Sequence, residues 1–368
     1  MNRFWSFVKK EFFHIFRDPR TMLILFGMPI AQILIFGYVI TNEIKDVRIG
    51  IYDQSKDEVT REITNKILSS GYFSLYDNLN TDKNIEEIFK EGRVKEVIIF
   101  EPDFEKKLIS NGTAAIQLIA DASDANTANL IVNYTQAIIF NYIIKQNAEV
   151  EFPLQIIPEV RMLYNEELKG AYMFIPGTMA LILMLISAMM TSISIAKEKE
   201  LGTMEVLLVS PLRPAQIVLG KVTPYVVLSF INAVTIILLG YFVFEVPVKG
   251  SIVLLLAESM LFILLALSIG IFISTVIKSQ QMAMFISVFA LMMPTILLSG
   301  FIFPIENMPD ILQWFSYIIP PRWFIIIIKN IMLKGTGFLY VWKETLILSA
   351  MIIFFIALSI KKFKIRLE

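Results

Sequence analysis

The chain has 368 residues, of which 56% are hydrophobic and 18% charged, against roughly 45–50% and about 25% in soluble domains; the composition is that of a membrane protein. Lys plus Arg and Asp plus Glu number 33 each, so no charge excess points to nucleic acid as a partner. Cysteine is absent and His14 is the single histidine, which excludes disulfides and thiolate chemistry and leaves no basis for a histidine-built metal or catalytic centre.

Residues 1–20 read as a basic amphipathic helix. Phe4, Trp5, Val8, Phe12, Ile15 and Phe16 share one face, and Arg3, Lys10, His14 and Arg17 the other, the pattern of a helix lying in the membrane interface. Asp18-Pro19 ends it, because proline disfavours a helical residue before it, and His14 reads as an interfacial polar residue. Apolar stretches near the ~20 residues needed to cross ~30 Å of hydrocarbon give six spans, at 21–40, 172–196, 222–244, 251–277, 282–303 and about 339–360. The first reads as a retained anchor: its leader is long, its core exceeds a signal-peptide h-region, and no small-x-small site follows Ile40. The sixth carries Lys343 and Glu344 at its interfacial end.

Lys and Arg in the short flanks set the orientation. Arg3, Lys9, Lys10, Arg17 and Arg20 share a side with Lys197, Lys199, Arg213, Lys221 and Lys278, and with the tail 361–368; the opposite loop 245–250 holds only Lys249. Both termini are therefore expected in the cytosol and residues 41–170 outside. Within 41–170, strand-length apolar runs at 47–52, 94–100 and 114–120 alternate with helical patterns at 56–69, 82–91 and 124–144, which predicts a small α/β domain with a largely parallel sheet. Asp121, Ser123 and Asp124 invite a metal reading, but a strand-to-helix turn with Asp124 as N-cap needs only one of them. No Gly-rich phosphate loop occurs there.

The most informative segment joins spans two and three: AKEKELGTMEVLLVSPLRPAQIVLGK, residues 196–221. Glu198, Glu200 and Glu205 with Lys197 and Lys199 form a charged first half, while Met204, Val206, Leu207 and Leu208 form an apolar surface. Ser210-Pro211 ends one helix and Pro214 starts the next. A solvated connector is the plain reading. The apolar surface needs a cover, however, and the acidic cluster runs against the positive-inside tendency, so a basic partner surface is expected. The segment holds no ATPase loop, since G-x-x-x-x-G-K-[ST] fails at Ala215 and Val222; nor does any other part of the chain carry an ATPase motif, and any ATP must be hydrolysed by another polypeptide.

Residues 304–333, PIENMPDILQWFSYIIPPRWFIIIIKNIML, are apolar but broken by Pro309, Pro320 and Pro321 and carry Trp314, Tyr317 and Trp323. They read as two short helices dipping into the outer leaflet and returning.

With its acidic patch, Gly202-Thr203, Ser210-Pro211 and Gly220-Lys221, the loop resembles the transmission segment of type-2 ABC exporter permeases, in the subgroup with a large outer domain after the first span. LYNEELKGAYMFIPG (163–177), LSGFIFPIENMP and SYIIPPRWF (within 298–324) extend the resemblance over essentially the whole chain. It implies an α-helical integral membrane protein with six transmembrane helices and an extracytoplasmic α/β domain, in a bacterial inner membrane. It implies a paired second permease subunit, an ABC ATPase subunit that binds ATP and Mg, and in double-membraned bacteria a periplasmic adaptor. No cofactor is expected in the chain itself. The resemblance assigns coupling to Glu198, Glu200, Gly202, Thr203, Glu205, Ser210, Pro211, Gly220 and Lys221.

Polar residues inside the spans are the remaining candidates: Gln32, Asn232, Glu258, Thr295 and Ser299 for a translocation path, although hydrogen bonding between helices is the commoner use of such groups. Glu258, about 12 Å into span four at 1.5 Å per residue, is expected to pair with Arg322 or Lys329, with contact to a cationic substrate in a dimer cavity or reach to the headgroups as the other readings. Pro29, Pro176, Pro224 and Pro294 mark places for kinks. Two rivals to the exporter reading are a sensory or scaffold protein with an outer domain on a six-span anchor, and a proton-coupled transporter using Glu258; the latter predicts inverted repeats, and the two halves show no convincing similarity.

Overall fold

The computed structural model describes residues 2–39, 46–78, 85–122, 125–147, 164–165, 169–209 and 212–362. The chain forms two compact units, Met1–Thr41 with Met162–Glu368, and Asn42–Arg161.

Helix α1 (Asn2–Phe16) stops where the proline rule places the break: Asp18 is extended, its carboxylate accepts from the Arg20 amide, and Pro19 opens α2 (Pro19–Met22). A π-helical turn (Leu23–Gly27) leads into α3 (Met28–Val39), completing the first apolar span. The turn sits just ahead of Pro29, whose missing N–H removes the donor that the Leu25 carbonyl would meet four residues on. The Asn232 side chain donates to that carbonyl at 2.7 Å from another helix, so a neighbour restores what proline took away.

The second unit is an α/β layer. Strand β1 (Val47–Asp53) is followed by α4 (Glu58–Leu68), β2 (Phe73–Asn78), α5 (Ile85–Lys90), β3 (Glu96–Phe100), α6 (Phe104–Asn111), β4 (Ile116–Ala120) and α7 (Ala125–Asn147). The sheet order is β2-β1-β3-β4, with β1 parallel to β2 and β3 and the edge strand β4 antiparallel. One face buries Ile49, Ile51, Ile98 and Phe100 against Ile63, Ile67 and Ile131 of the helices; the other buries Val97 and Ile99 with Ile85 and Ile88. Strand β2 and helix α6 lie in stretches given no element from the sequence pattern. The expected N-cap Asp124 and its neighbour Ser123 lie outside the described residues. Asp57 caps α4 at the Thr60 amide and also accepts from the Glu105 amide at the start of α6, 2.8 Å away. One carboxylate thus serves both helix starts at the carboxyl ends of β1 and β3.

The first unit continues with α8 (Ala171–Glu200), α9 (Thr203–Val209), α10 (Pro214–Phe242), α11 (Ile252–Val276), α12 (Gln280–Ser287), a second π-helical turn (Val288–Met292) and α13 (Met293–Leu298). Then come α14 (Asp310–Ser316), α15 (Pro320–Met332) and α16 (Trp342–Lys362). Among the described residues, six helices or unbroken helical runs are long and apolar enough to cross a membrane, and α14 and α15 form a further apolar pair bent by 80°. Prolines 320 and 321 occupy the first turn of α15, where their missing N–H groups cost nothing. Helix α8 is buried round its whole circumference and forms the centre of the unit, as a helix apolar on all sides must. Gln280–Leu298 and Trp342–Lys362 turn most of their surface outward.

The expected interfacial helix is corrected in one respect. Phe7, Val8, Glu11 and Ile15 form the inward side of α1, and Val8 and Ile15 are 3% exposed; Trp5, Phe13 and Phe16 are more than half exposed. Its buried stripe packs on α10, and aromatics remain on the outward side among the basic residues.

Candidate functional site

The segment between α8 and α10 is fastened to the helix bundle by a chain of charges. The Lys221 ammonium, at the second turn of α10, is 3% exposed and donates to Glu198 at 2.8 Å and to Glu11 at 3.1 Å. Glu11, on the buried stripe of α1, also receives Lys10 at 2.9 Å. Glu198, at the end of α8, also accepts from the Thr203 hydroxyl at the start of α9. Two carboxylates and two ammonium groups therefore alternate through α1, α10 and α8, and a hydroxyl carries the chain to α9. Lys221 and Glu11 are the fully buried members, and burial demands that they be matched, because an unmatched charge there would cost several kcal/mol; Lys10 joins the chain from the exposed side.

Other described turns of the segment have local reasons. Leu201 ends α8 and Gly202 follows with φ +69°, a left-handed turn that a glycine adopts without cost. Pro214 opens α10, and the Gln216 side chain accepts from the Arg213 amide at 3.0 Å. A Cβ on Gly220 would lie 2.5 Å from the Phe7 ring, so glycine there lets α1 approach α10. Gly220 and Lys221 both serve α1. Glu200 accepts from the Gln280 amide at 2.8 Å and its side chain at 3.1 Å, and so holds the first turn of α12. Lys199 donates to the Ser274 carbonyl near the end of α11. Beside the chain of charges is a polar cavity of about 90 Å³, with His14, Asp18, Lys197 and Tyr225 among its lining residues.

Of the residues assigned to coupling, Glu198, Glu200, Thr203, Gly220 and Lys221 are therefore engaged within this unit, whereas Glu205 is exposed. Leu201, Val206 and Val209, more than 60% exposed, accompany Glu205 on the outer surface of the segment. Ser210 and Pro211 lie outside the described residues. Sequence reasoning missed Glu11. Its signal was there: a carboxylate one turn from Val8 and Ile15 on an apolar stripe is costly unless it has a buried partner.

The path candidates separate in the same way. Asn232 is 2% exposed and spent on the Leu25 carbonyl. Thr295 donates to the Leu291 carbonyl at 2.6 Å, and Ser299 to the Thr295 carbonyl. Gln32 keeps a buried Oε1 without a hydrogen-bond partner among the described residues. Glu258, 3% exposed on α11, is not paired with Arg322 or Lys329; its Oε1 accepts from the Thr345 hydroxyl of α16 at 2.8 Å. Arg322 is drawn the other way. It donates to Ser316 and to the Gln313 carbonyl, and its guanidinium lies 4.0 Å from the Tyr317 ring centre and 5.1 Å from that of Trp323. At the start of α15 it braces the bend against α14. Among the described residues no cluster of three or more acidic or histidine side chains is arranged to hold a metal ion.

Six candidate spans among the described residues, with a braced segment between the second and third, are the architecture of a multi-pass membrane protein. The pattern described as "ABC-2 family transporter protein" matches residues 19–361, and the chain belongs to that family. It is 33% identical over 343 residues to "Probable multidrug ABC transporter permease YbhR" of Escherichia coli (strain K12), covering 93% of each chain. Its identity with YbhS of the same organism, a protein of the same description, is 32% over 363 residues, 98% of this chain and 96% of the relative. A more distant likeness, 24% identical, covers 96% of this chain and 49% of "ABC transporter G family member 20" of Dictyostelium discoideum.

Proposed function

We propose that the chain is the membrane subunit of an ATP-driven exporter, coupled to a separate ABC ATPase subunit through residues 197–221. The observation that carries this reading is the outer surface of α9: Glu205, Val206 and Val209 face away from the unit, while the backbone beneath them is fixed through Thr203, Glu198 and Lys221. A push on α9 is thereby passed to α8, the centre of the bundle. The ATPase subunit binds ATP and Mg; this chain supplies no catalytic group. The Lys and Arg asymmetry supports both termini in the cytosol and residues 41–170 outside. The outward surfaces of the fifth and sixth spans suit lipid and a second permease subunit, identical or homologous, with the path formed between the two. The bent pair α14–α15 is read as re-entrant from the outer leaflet, and the outer α/β unit as a place for a periplasmic adaptor. The multidrug description of the relatives supports export of small amphipathic molecules.

The test uses the complex with its ATPase. Glu205→Lys combined with Val206→Lys should leave the thermal melt of the permease unchanged, remove co-purification of the ATPase subunit and abolish transport. Retained stoichiometric association with normal transport would refute coupling through this surface.

A further inference from the structure

The inward side of α1 is spent on α10, and the chemistry of its outward side is not used by anything described so far. Lys10, His14 and Arg17 stand at i, i+4 and i+7 and, with Phe13, line a cavity of about 370 Å³. Phe13 and Phe16 are 53% and 54% exposed. The Lys9 ammonium lies 5.9 Å and the Arg17 guanidinium 6.0 Å from the centre of the Phe13 ring. Two cations therefore lie within about 6 Å of the centre of one open aromatic ring. Lys10 is shared with Glu11, but Lys9 and Arg17 have no carboxylate partner among the described residues. The surface is thus cationic and oily at once. A soluble anion would use only the charges and leave Phe13 and Phe16 in water.

The geometry points to a binding site for an anionic phospholipid on the outward face of α1: the headgroup phosphate held by Lys10, His14 and Arg17, the upper acyl chain lying on Phe13 and Phe16. Basic residues at a membrane surface attract anionic headgroups, and a helix with this mixture of residues rests at the level of the headgroups. The site gives α1 two different attachments. Glu11 and Phe7 hold it to the bundle, and the lipid holds it to the leaflet. The lipid site rests on the membrane reading of the chain and is independent of coupling to an ATPase.

The absence of cysteine makes a clean probe available. A fluorophore on Phe16→Cys is read in vesicles containing trace phosphatidylglycerol or phosphatidylcholine carrying the same nitroxide on the acyl chain. Stronger quenching by labelled phosphatidylglycerol is expected. Lys10→Ala with Arg17→Ala should reduce that preference roughly 25-fold, about fivefold for each basic residue lost, while Lys10→Arg with Arg17→Lys should largely keep it. Equal quenching by the two lipids overturns the site. Loss of the preference on adding millimolar inorganic phosphate or glycerophosphate would mean a soluble-anion site and overturn the lipid assignment. The same holds if only added ATPase subunit protects the fluorophore, since that face would then be a protein interface.

Discussion

Lys221 and Glu11 are separated by 210 residues in sequence and by 3.1 Å in space, and each side chain is no more than 4% exposed. Their contact ties the first helix of the chain to the start of α10, and Glu198 extends the tie to α8. Removing one member of a buried charge pair costs about 3–5 kcal/mol, most of it from stranding the other. Lys221→Met is therefore expected to lower the melting temperature of the purified protein sharply. Glu11→Gln should cost less, because Glu198 still neutralises the ammonium. Lys221→Met with Glu11→Leu should cost less than the sum of the single changes. Strict additivity would show that the contact contributes nothing.

Asn232 and Pro29 make a second linked pair. The amide of Asn232 serves a carbonyl that lost its helical donor to proline. Asn232→Leu is expected to cost about 0.6–1.7 kcal/mol, the range for hydrogen bonds between membrane helices. With Pro29→Ala the backbone regains an N–H, and the same Asn232→Leu change should then cost almost nothing. An equal loss in both backgrounds would mean that Asn232 matters for packing alone.

In the α/β unit, Glu96 is fully buried on β3 and accepts from the Thr135 hydroxyl of α7 at 2.6 Å, while its other oxygen has no partner among the described residues. Burial pushes its carboxyl up from the ordinary 4.5 to about 7, only partly opposed by the Thr135 hydrogen bond. The folded unit therefore holds this proton more tightly than the unfolded chain does, and stability falls as pH rises from about 4.5 through 7. The loss levels off above that range at roughly 3 kcal/mol. Glu96→Gln should flatten the profile and make the unit more resistant at pH ~8 than the parent. Pulse proteolysis of the full chain across that range reads it; a parent profile as flat as that of the variant refutes the burial argument.

Much of this architecture is legible in the residues, and the exceptions share a cause. Long apolar runs announce the spans because crossing hydrocarbon sets a length, and Pro19 and Pro214 mark helix starts because proline at the first turn loses no bond. Strand β2 and helix α6 escape because they are short and only partly apolar, and their pairing is fixed by the sheet. Glu11 was visible as an anomaly, but its partners come from distant helices. In the same way the pattern shows that Glu258 needs company without naming it: Arg322 had the right charge, yet Tyr317, Trp323 and Ser316 hold it at the α14–α15 bend.

Glu258 therefore yields a prediction opposite to that from charge matching. Thr345 donates at 2.8 Å across the contact between α11 and α16, and Arg322 makes no bond to it. Exchanging the charges, Glu258→Arg with Arg322→Glu, is expected to rescue nothing, since the two single losses are independent. Thr345→Val should cost about 1–3 kcal/mol by leaving a buried carboxyl without its donor. In a Glu258→Leu background the same change should be nearly neutral, because both partners are then apolar. Melts of the four proteins in this cycle measure the coupling, and a rescue by the charge exchange would restore the Arg322 pairing. Transport assays on Glu258→Gln add a separate test. That variant keeps an oxygen for Thr345, so a stable protein with an unchanged substrate range is expected. A stable protein that loses only cationic substrates would instead make Glu258 a reader of charge in the path.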